Sequence, residues 1–174
     1  QPFKEGRQGR VLYNGQYVTR EAAKAIDSFS QHFAAAEKAK QAGNIDQAIA
    51  AYETSLEYVD KSGFQDNTGY IRHTLSTLRL QQAMTLAQKA EADKEWKKAA
   101  DTYQKALALS STLAKPGEQD DIAKRLAAAA LRHELDESKR AFTASEWQKS
   151  VEMLQGAQRI IAENPTLVSG TEKL

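Results

Sequence analysis

The stretch Gln41-Ala42-Gly43-Asn44-Ile45-Asp46-Gln47-Ala48-Ile49-Ala50-Ala51-Tyr52-Glu53-Thr54-Ser55-Leu56 is matched without a gap by Ala92-Asp93-Lys94-Glu95-Trp96-Lys97-Lys98-Ala99-Ala100-Asp101-Thr102-Tyr103-Gln104-Lys105-Ala106-Leu107. The offset is 51 residues (92 − 41), and the pattern returns after the same interval in Thr143-Ala144-Ser145-Glu146-Trp147-Gln148-Lys149-Ser150-Val151. That third copy continues with Leu154 and Ala157, where the first two carry an aromatic and a small residue. Internal repeats of this size mean stacked units that share a core, so the period decides the architecture before any single residue does.

The sequence on either side of each copy is helical in pattern. Thr19 can cap a helix whose apolar residues Ala22, Ile26, Phe29, Phe33 and Ala36 recur at spacings of four and three, ending near Gly43. Asn44 opens a second helix with Gln47 in capping-box position, running to about Lys61. After Ser62-Gly63-Phe64-Gln65-Asp66-Asn67, a third helix from about Thr68 to Asp93 carries one stripe of Ile71, Leu75 and Leu78 and another of Leu80, Met84 and Ala87. Two stripes predict neighbours on two sides. A fourth helix uses Trp96, Ala99, Tyr103, Ala106 and Leu107 and stops before Lys115-Pro116-Gly117; a fifth runs from about Glu118 through Ile122, Leu126, Leu131, Leu135 and Phe142. Ser145 with Gln148 reads as another capping box, opening a sixth helix that ends at Asn164-Pro165. Ahead of all this, Asn14-Gly15 between Val11-Leu12-Tyr13 and Gln16-Tyr17-Val18 is a strong hairpin signal, because both turn residues must accept positive φ. Tyr13 and Tyr17 are expected to pack on the first helix.

The expected fold is therefore all-α: three antiparallel helical hairpins preceded by a short β-hairpin. Residues 1–18 form the lead-in and hairpin; 19–165 form the repeat domain, divided near 19–62, 63–113 and 114–164; residues 166–174 read as a tail or linker. Composition agrees with this, since 41% hydrophobic and 27% charged residues suit a globular chain, and few Pro, Gly and aromatics favour helices over sheets. The formal net charge is +1, with no long Lys/Arg block, so neither a nucleic-acid footprint nor a polybasic membrane patch is visible and no direct membrane insertion is expected. With no cysteine, disulfides and thiolate metal sites are excluded. A chain without cysteine that starts at Gln1 reads as a piece of an exported, periplasmic bacterial protein, with a cytoplasmic origin as the alternative.

Small residues four positions before an aromatic in the second helix of a hairpin, Ala48/Tyr52 and Ala99/Tyr103, with Gly43-Asn44 at the turn, resemble the tetratricopeptide repeat over roughly Ser30 to Ala162. Ala36, Ala87 and Ser138 stand where that family places its small close-packing residue in the first helix. The chain departs from the family at His32, Ala35 and Ala39, at Ser150 and Leu154, and in lacking the Pro that usually ends a repeat in its first two copies. The period departs furthest: the family unit takes about 34 residues, so about 17 extra enter each repeat, mainly between Gly63 and Arg79 and between Ala114 and Ala130. A dozen of them in helix would lengthen the first helix by ~18 Å.

The resemblance implies a right-handed array whose first helices turn Phe33, Met84 and Leu135 inward, with Glu37, Gln88 and Lys139 one turn further on. These six read either as apolar anchors and polar rim of a peptide groove or as ordinary inter-helix core. Of the Lys and Asn that chaperone-binding members need at these positions, Lys139 alone is present, so binding of chaperone C-termini is not expected. Trp96 and Trp147, in register with Ile45, are expected in the core. His32, His73 and His133 lack helical metal-ligand spacing, and no phosphate loop or nucleophile arrangement can be assembled, so neither cofactor, metal nor catalysis is expected. Asp136, Glu137, Lys139 and Arg140 read as a solvated helix face. The functional expectation is a non-catalytic module binding a protein or peptide; the alternative is a structural domain of a larger exported protein whose repeats stack on copies of themselves as a homo-oligomer.

Overall fold

The computed structural model describes residues 9–62, 67–113 and 117–167. Among them are two strands, β1 (Arg10–Tyr13) and β2 (Gln16–Thr19), and six helices: α1 (Arg20–Gln41), α2 (Ile45–Ser62), α3 (Thr68–Ala92), α4 (Trp96–Ser110), α5 (Glu118–Thr143) and α6 (Trp147–Glu163), with a short 3-10 turn at Pro165–Leu167. The expected loops at 63–66 and 114–116, the lead-in at 1–8 and the tail at 168–174 lie outside the described residues. The chain is mostly helical, as its sequence predicts, with a two-stranded antiparallel hairpin in front. It divides into two compact units, residues 1–79 and 80–174.

In the first unit Asn14 and Gly15 turn the β-hairpin with φ of 46° and 83°, pairing Tyr13 with Gln16 and Arg10 with Thr19. This is the two-residue turn whose twist matches that of its strands. Tyr13 donates a hydrogen bond to Asp27 of α1 at 2.6 Å, whereas Tyr17 stays exposed. Thr19 ends β2 and caps α1, its hydroxyl accepting the Ala22 N–H at 3.0 Å. The core of this unit gathers Phe29 and Ala36 of α1, Ala48, Ile49, Tyr52 and Val59 of α2, and Ile71, Leu75 and Leu78 from the first half of α3. In the second unit, Ala83, Ala87 and Ala90 from the rest of α3 join Ala99, Tyr103 and Ala106 of α4 and Ile122 and Ala129 of α5. The extra residues in the long repeats are thus largely helix: Thr68–Arg79 and Glu118–Ala130 belong to α3 and α5, which run 25 and 26 residues.

Each helical hairpin turns in the same way, bond for bond. Gly43, Lys94 and Ser145, separated by 51 residues, take φ of 74°, 59° and 62°. The next N–H in each case reaches back five residues, Asn44 to Ala39, Glu95 to Ala90 and Glu146 to Ala141, at 2.8–2.9 Å. The left-handed residue itself bonds three back, to Lys40, Glu91 and Phe142. These are the two bonds of a Schellman helix end. Ser145 is therefore not the cap of α6 that the sequence suggested. A capping Ser needs extended backbone, and this one is committed to ending α5; Glu146 occupies the cap position without a side-chain bond. Asn44 and Gln47 meet side chain to side chain at 3.5 Å.

Small residues set the approach of paired helices. Ala36 faces Ala48 in the first hairpin and Ala87 accompanies Ala99 in the second core, all four fully buried. Ser138 and Ser150 take their places in the third. Their hydroxyls lie 3.0 Å apart, and each also reaches the other's carbonyl, at 3.2 and 3.1 Å. Two buried hydroxyls are thereby satisfied without a third partner.

Candidate functional site

The positions singled out in sequence, Phe33, Glu37, Met84, Gln88, Leu135 and Lys139, occupy corresponding places on the first helix of each hairpin but meet different surroundings. In hairpin α1–α2, Phe33 is half-buried, stacked on Phe29 at 5.6 Å and edge-on to Tyr52 at 6.0 Å. Glu37 is held by three donors: the hydroxyls of Tyr52 and Tyr70, the latter at 2.6 Å, and the Lys40 ammonium at 2.7 Å. Tyr70 belongs to the start of α3, and its ring lies 6.1 Å from that of Phe33. Its hydroxyl also accepts from Lys40 at 2.7 Å. The next helix in the chain thus covers Phe33, Glu37 and Lys40. Burial alone would raise the Glu37 pKa, but the bonds from Lys40, Tyr52 and Tyr70 outweigh it and bring it down to about 2. The same bond to Glu37 raises Lys40, while burial and then Glu37 raise Tyr52.

The second hairpin rebuilds this arrangement with its charges moved. Met84 is half-buried against the core and Gln88 is exposed. Tyr103, in register with Tyr52, donates to Glu91 at 2.7 Å, and Glu91 is in register with Lys40. The cation comes from the following helix: Arg125 of α5 reaches both Glu91 and Tyr103 at 3.5 Å. Trp96 is half-buried under the Arg132 guanidinium, 4.7 Å from the ring centroid. Beside it lies an open depression of about 540 Å³ whose walls alternate Lys98, Asp101, His133, Asp136, Glu137 and Arg140. Opposite charges at this spacing neutralise one another, as the Arg140–Glu137 pair at 2.7 Å does.

The third hairpin, α5–α6, differs from both. At the positions of Phe33, Lys40, Tyr52, Ile45 and Ile49 stand Leu135, Phe142, Leu154, Trp147 and Val151. Tyr52 and Tyr103 are 0% exposed, whereas Leu154 is 45% exposed, Leu135 45%, Val151 52%, Trp147 56% and Phe142 58%. The rings of Phe142 and Trp147 meet edge to face at 4.8 Å. Trp147, expected in the core, is therefore on the surface. Its fellow Trp96 lies against α5, and what corresponds to that covering helix is not among the described residues after α6. Lys139, where Glu37 and Gln88 stand in the earlier copies, is exposed and has no carboxylate partner among the described residues.

Four of these five open residues, all but Leu135, were not legible as surface in the sequence, although a signal was present. Position 40/91/142 changes from Lys and Glu to Phe, a substitution that makes sense only where charge is not wanted. Among the described residues no group of His, Cys, Asp and Glu could hold a metal ion, and no helix is long and apolar enough to cross a membrane. His32 stacks on Tyr58 at 5.9 Å. Compared with protein-family models, curated proteins and solved structures, the chain matches none of them.

Proposed function

We propose that the chain is a non-catalytic interaction module, a tetratricopeptide-like scaffold of helical hairpins that binds a protein or peptide partner. The observation that carries this reading is the open apolar face of α5–α6: Leu135, Phe142, Trp147, Val151 and Leu154 are exposed together at positions that are covered in the preceding hairpins. Contiguous exposed apolar surface on a folded domain marks a place where something else binds. The Tyr–Glu–cation clusters of the first two hairpins support the same reading from the other side, because they hold helix to helix and are already engaged within the chain.

The test is a quantitative crosslinking pull-down from the source organism, read by mass spectrometry, comparing the chain with its Val151→Asp/Leu154→Asp variant. A partner enriched by the wild type supports a binding module; the absence of any enriched protein sinks it. Sedimentation of the isolated chain from micromolar to high concentration separates this from assembly with copies of itself, which requires a concentration-dependent oligomer.

A further inference from the structure

In each compact unit the core is completed by a stripe from the helix that follows a hairpin, and the two stripes share one spacing. Ile71, Leu75 and Leu78 of α3 enter the first core, and Ile122, Leu126 and Ala129 of α5 pack with the second, each set at i, i+4 and i+7. The same spacing recurs on α6 with its stripe uncovered: Trp147, Val151 and Leu154 are all exposed. The chain thus carries on one surface both an open receiving face, α5–α6, and a stripe of the kind that closes its own two cores.

A contact between two copies about a twofold axis needs a patch that complements itself, and the α5–α6 face has that property. Phe142 and Trp147 stand equally far from the Ala144-Ser145 turn, and so do Leu135 and Leu154; Lys139 on α5 and Glu152 on α6 stand between those levels. A twofold axis along the hairpin lays α5 of each copy over α6 of the other. Phe142 then meets Trp147, Leu135 meets Leu154 and Lys139 meets Glu152. An axis across the hairpin would lay α5 on α5 and α6 on α6, and Lys139 would miss Glu152. The charges favour the first arrangement. Lys139 and Glu152 are exposed and neither has an ion-pair partner among the described residues, whereas their neighbours Arg140 and Lys149 are engaged within the chain by Glu137 and Glu146. We infer that the α5–α6 face is the interface of a homodimer, occupied by the same face of a second copy of this chain. The inference rests on the reading of that face as a binding surface and names its occupant.

The test is sedimentation equilibrium of the full chain from about 1 μM to about 1 mM, repeated with Trp96→Phe so that Trp147 is the remaining tryptophan. Expected are a monomer–dimer equilibrium with a Kd below about 100 μM and a blue shift of Trp147 emission that follows the dimer fraction. Leu154→Asp, at an exposed position, should weaken the dimer roughly tenfold or more without moving the thermal midpoint at concentrations where the wild type is monomeric. Lys139→Glu and Glu152→Lys should each weaken the homodimer several-fold. An equimolar mixture of these two variants should form a heterodimer with wild-type affinity, because both contacts between positions 139 and 152 then pair opposite charges. A chain that stays monomeric over this range, a dimer indifferent to Leu154→Asp, an open series of oligomers in place of a closed dimer, or a mixture no tighter than its components overturns the assignment. A monomer whose Trp147 emission is already shifted overturns it too, because the chain's own residues then cover the face. If the chain is monomeric and the pull-down still enriches another protein, the module reading survives and this dimer does not. If the chain dimerises through this face and the pull-down enriches no other protein, the dimer stands and the reading of a module for other proteins falls.

Discussion

At the scale of single residues, Glu37 is the most constrained charge in the first unit, because two tyrosine hydroxyls and an ammonium converge on one carboxylate. Its pKa falls from an ordinary 4.5 to about 2 in the folded chain. The charged form therefore contributes stability that is complete above about pH 4.5 and is lost as the pH falls towards 2. The carboxylate keeps about a quarter of its surface in water, so screening holds this contribution to about 1–2 kcal/mol. Glu37→Gln, which installs the residue that stands at position 88, keeps an acceptor for the tyrosines and removes the titration. Denaturation at pH 6 and pH 2.5 should show the wild type losing about 1 kcal/mol more than Glu37→Gln across that interval; equal losses would count against the cluster as drawn. A second residue-scale case is Gly156 in α6. A Cβ there would sit 3.0 Å from Glu134 Oε2, an oxygen that has no hydrogen-bond partner. Ala in a helix interior is favoured over Gly by about 0.5–1 kcal/mol, but Glu134 must move aside to admit it. Gly156→Ala is expected to be near neutral in the wild type and stabilising by about 0.5–1 kcal/mol in a Glu134→Ala background. A double-mutant cycle with zero coupling would contradict this.

Between elements, the contact of α5 with α6 shows how a repeat tolerates change. Ala36/Ala48 and Ala87/Ala99 let helix backbones approach closely, and Ser138/Ser150 does the same with two hydroxyls that satisfy each other. Either Ser→Ala substitution alone removes the hydroxyl–hydroxyl bond but leaves the remaining hydroxyl the backbone carbonyl facing it, and should cost no more than about 1 kcal/mol. The double Ser138→Ala/Ser150→Ala restores the pattern of the first two copies and should lie within about 0.5 kcal/mol of wild type by chemical denaturation. Additive losses would show that the hydroxyls bond elsewhere. At this scale the sequence was legible where the physics is local and periodic. Apolar spacing placed the helices, Asn14-Gly15 announced its turn, and the interval of 51 carried the small residues into register. It was opaque where a tertiary choice overrides a local one. Lys94 and Ser145 adopt the left-handed conformation that Gly43 takes without steric cost, because repeated helix ends impose it, and nothing in a Lys or Ser announces this. The Tyr–Glu–cation clusters were equally hidden: Lys40 and Glu91 share a register position with opposite charge, and their partners Tyr70 and Arg125 arrive from the next helix.

At the scale of the whole molecule, the two cores found among the described residues have no residue in common, and one helix, α3, contributes to both. Ile71, Leu75 and Leu78 serve the first, and Ala83, Ala87 and Ala90 serve the second. A helical segment of about a dozen residues is marginal in water on its own, so each half of α3 depends on the core it enters. Destabilising one core should then be felt unevenly along the chain. Leu75→Ala empties a buried site, 4% exposed in the native protein, and should cost about 2–4 kcal/mol. Native-state hydrogen exchange is the suitable reading, because it resolves which amides open together. Amides of Phe29, Tyr52 and the first half of α3 are expected to lose protection by that amount, while those of Tyr103, Ala106 and Ala129 keep theirs. If every amide in both units shifts equally, the two cores unfold as one cooperative body and the division at residues 79 and 80 has no energetic meaning. If the effect stops at residue 79, α3 carries little coupling along its length, and an occupant of the α5–α6 face would stabilise residues 80–174 without being felt at Glu37.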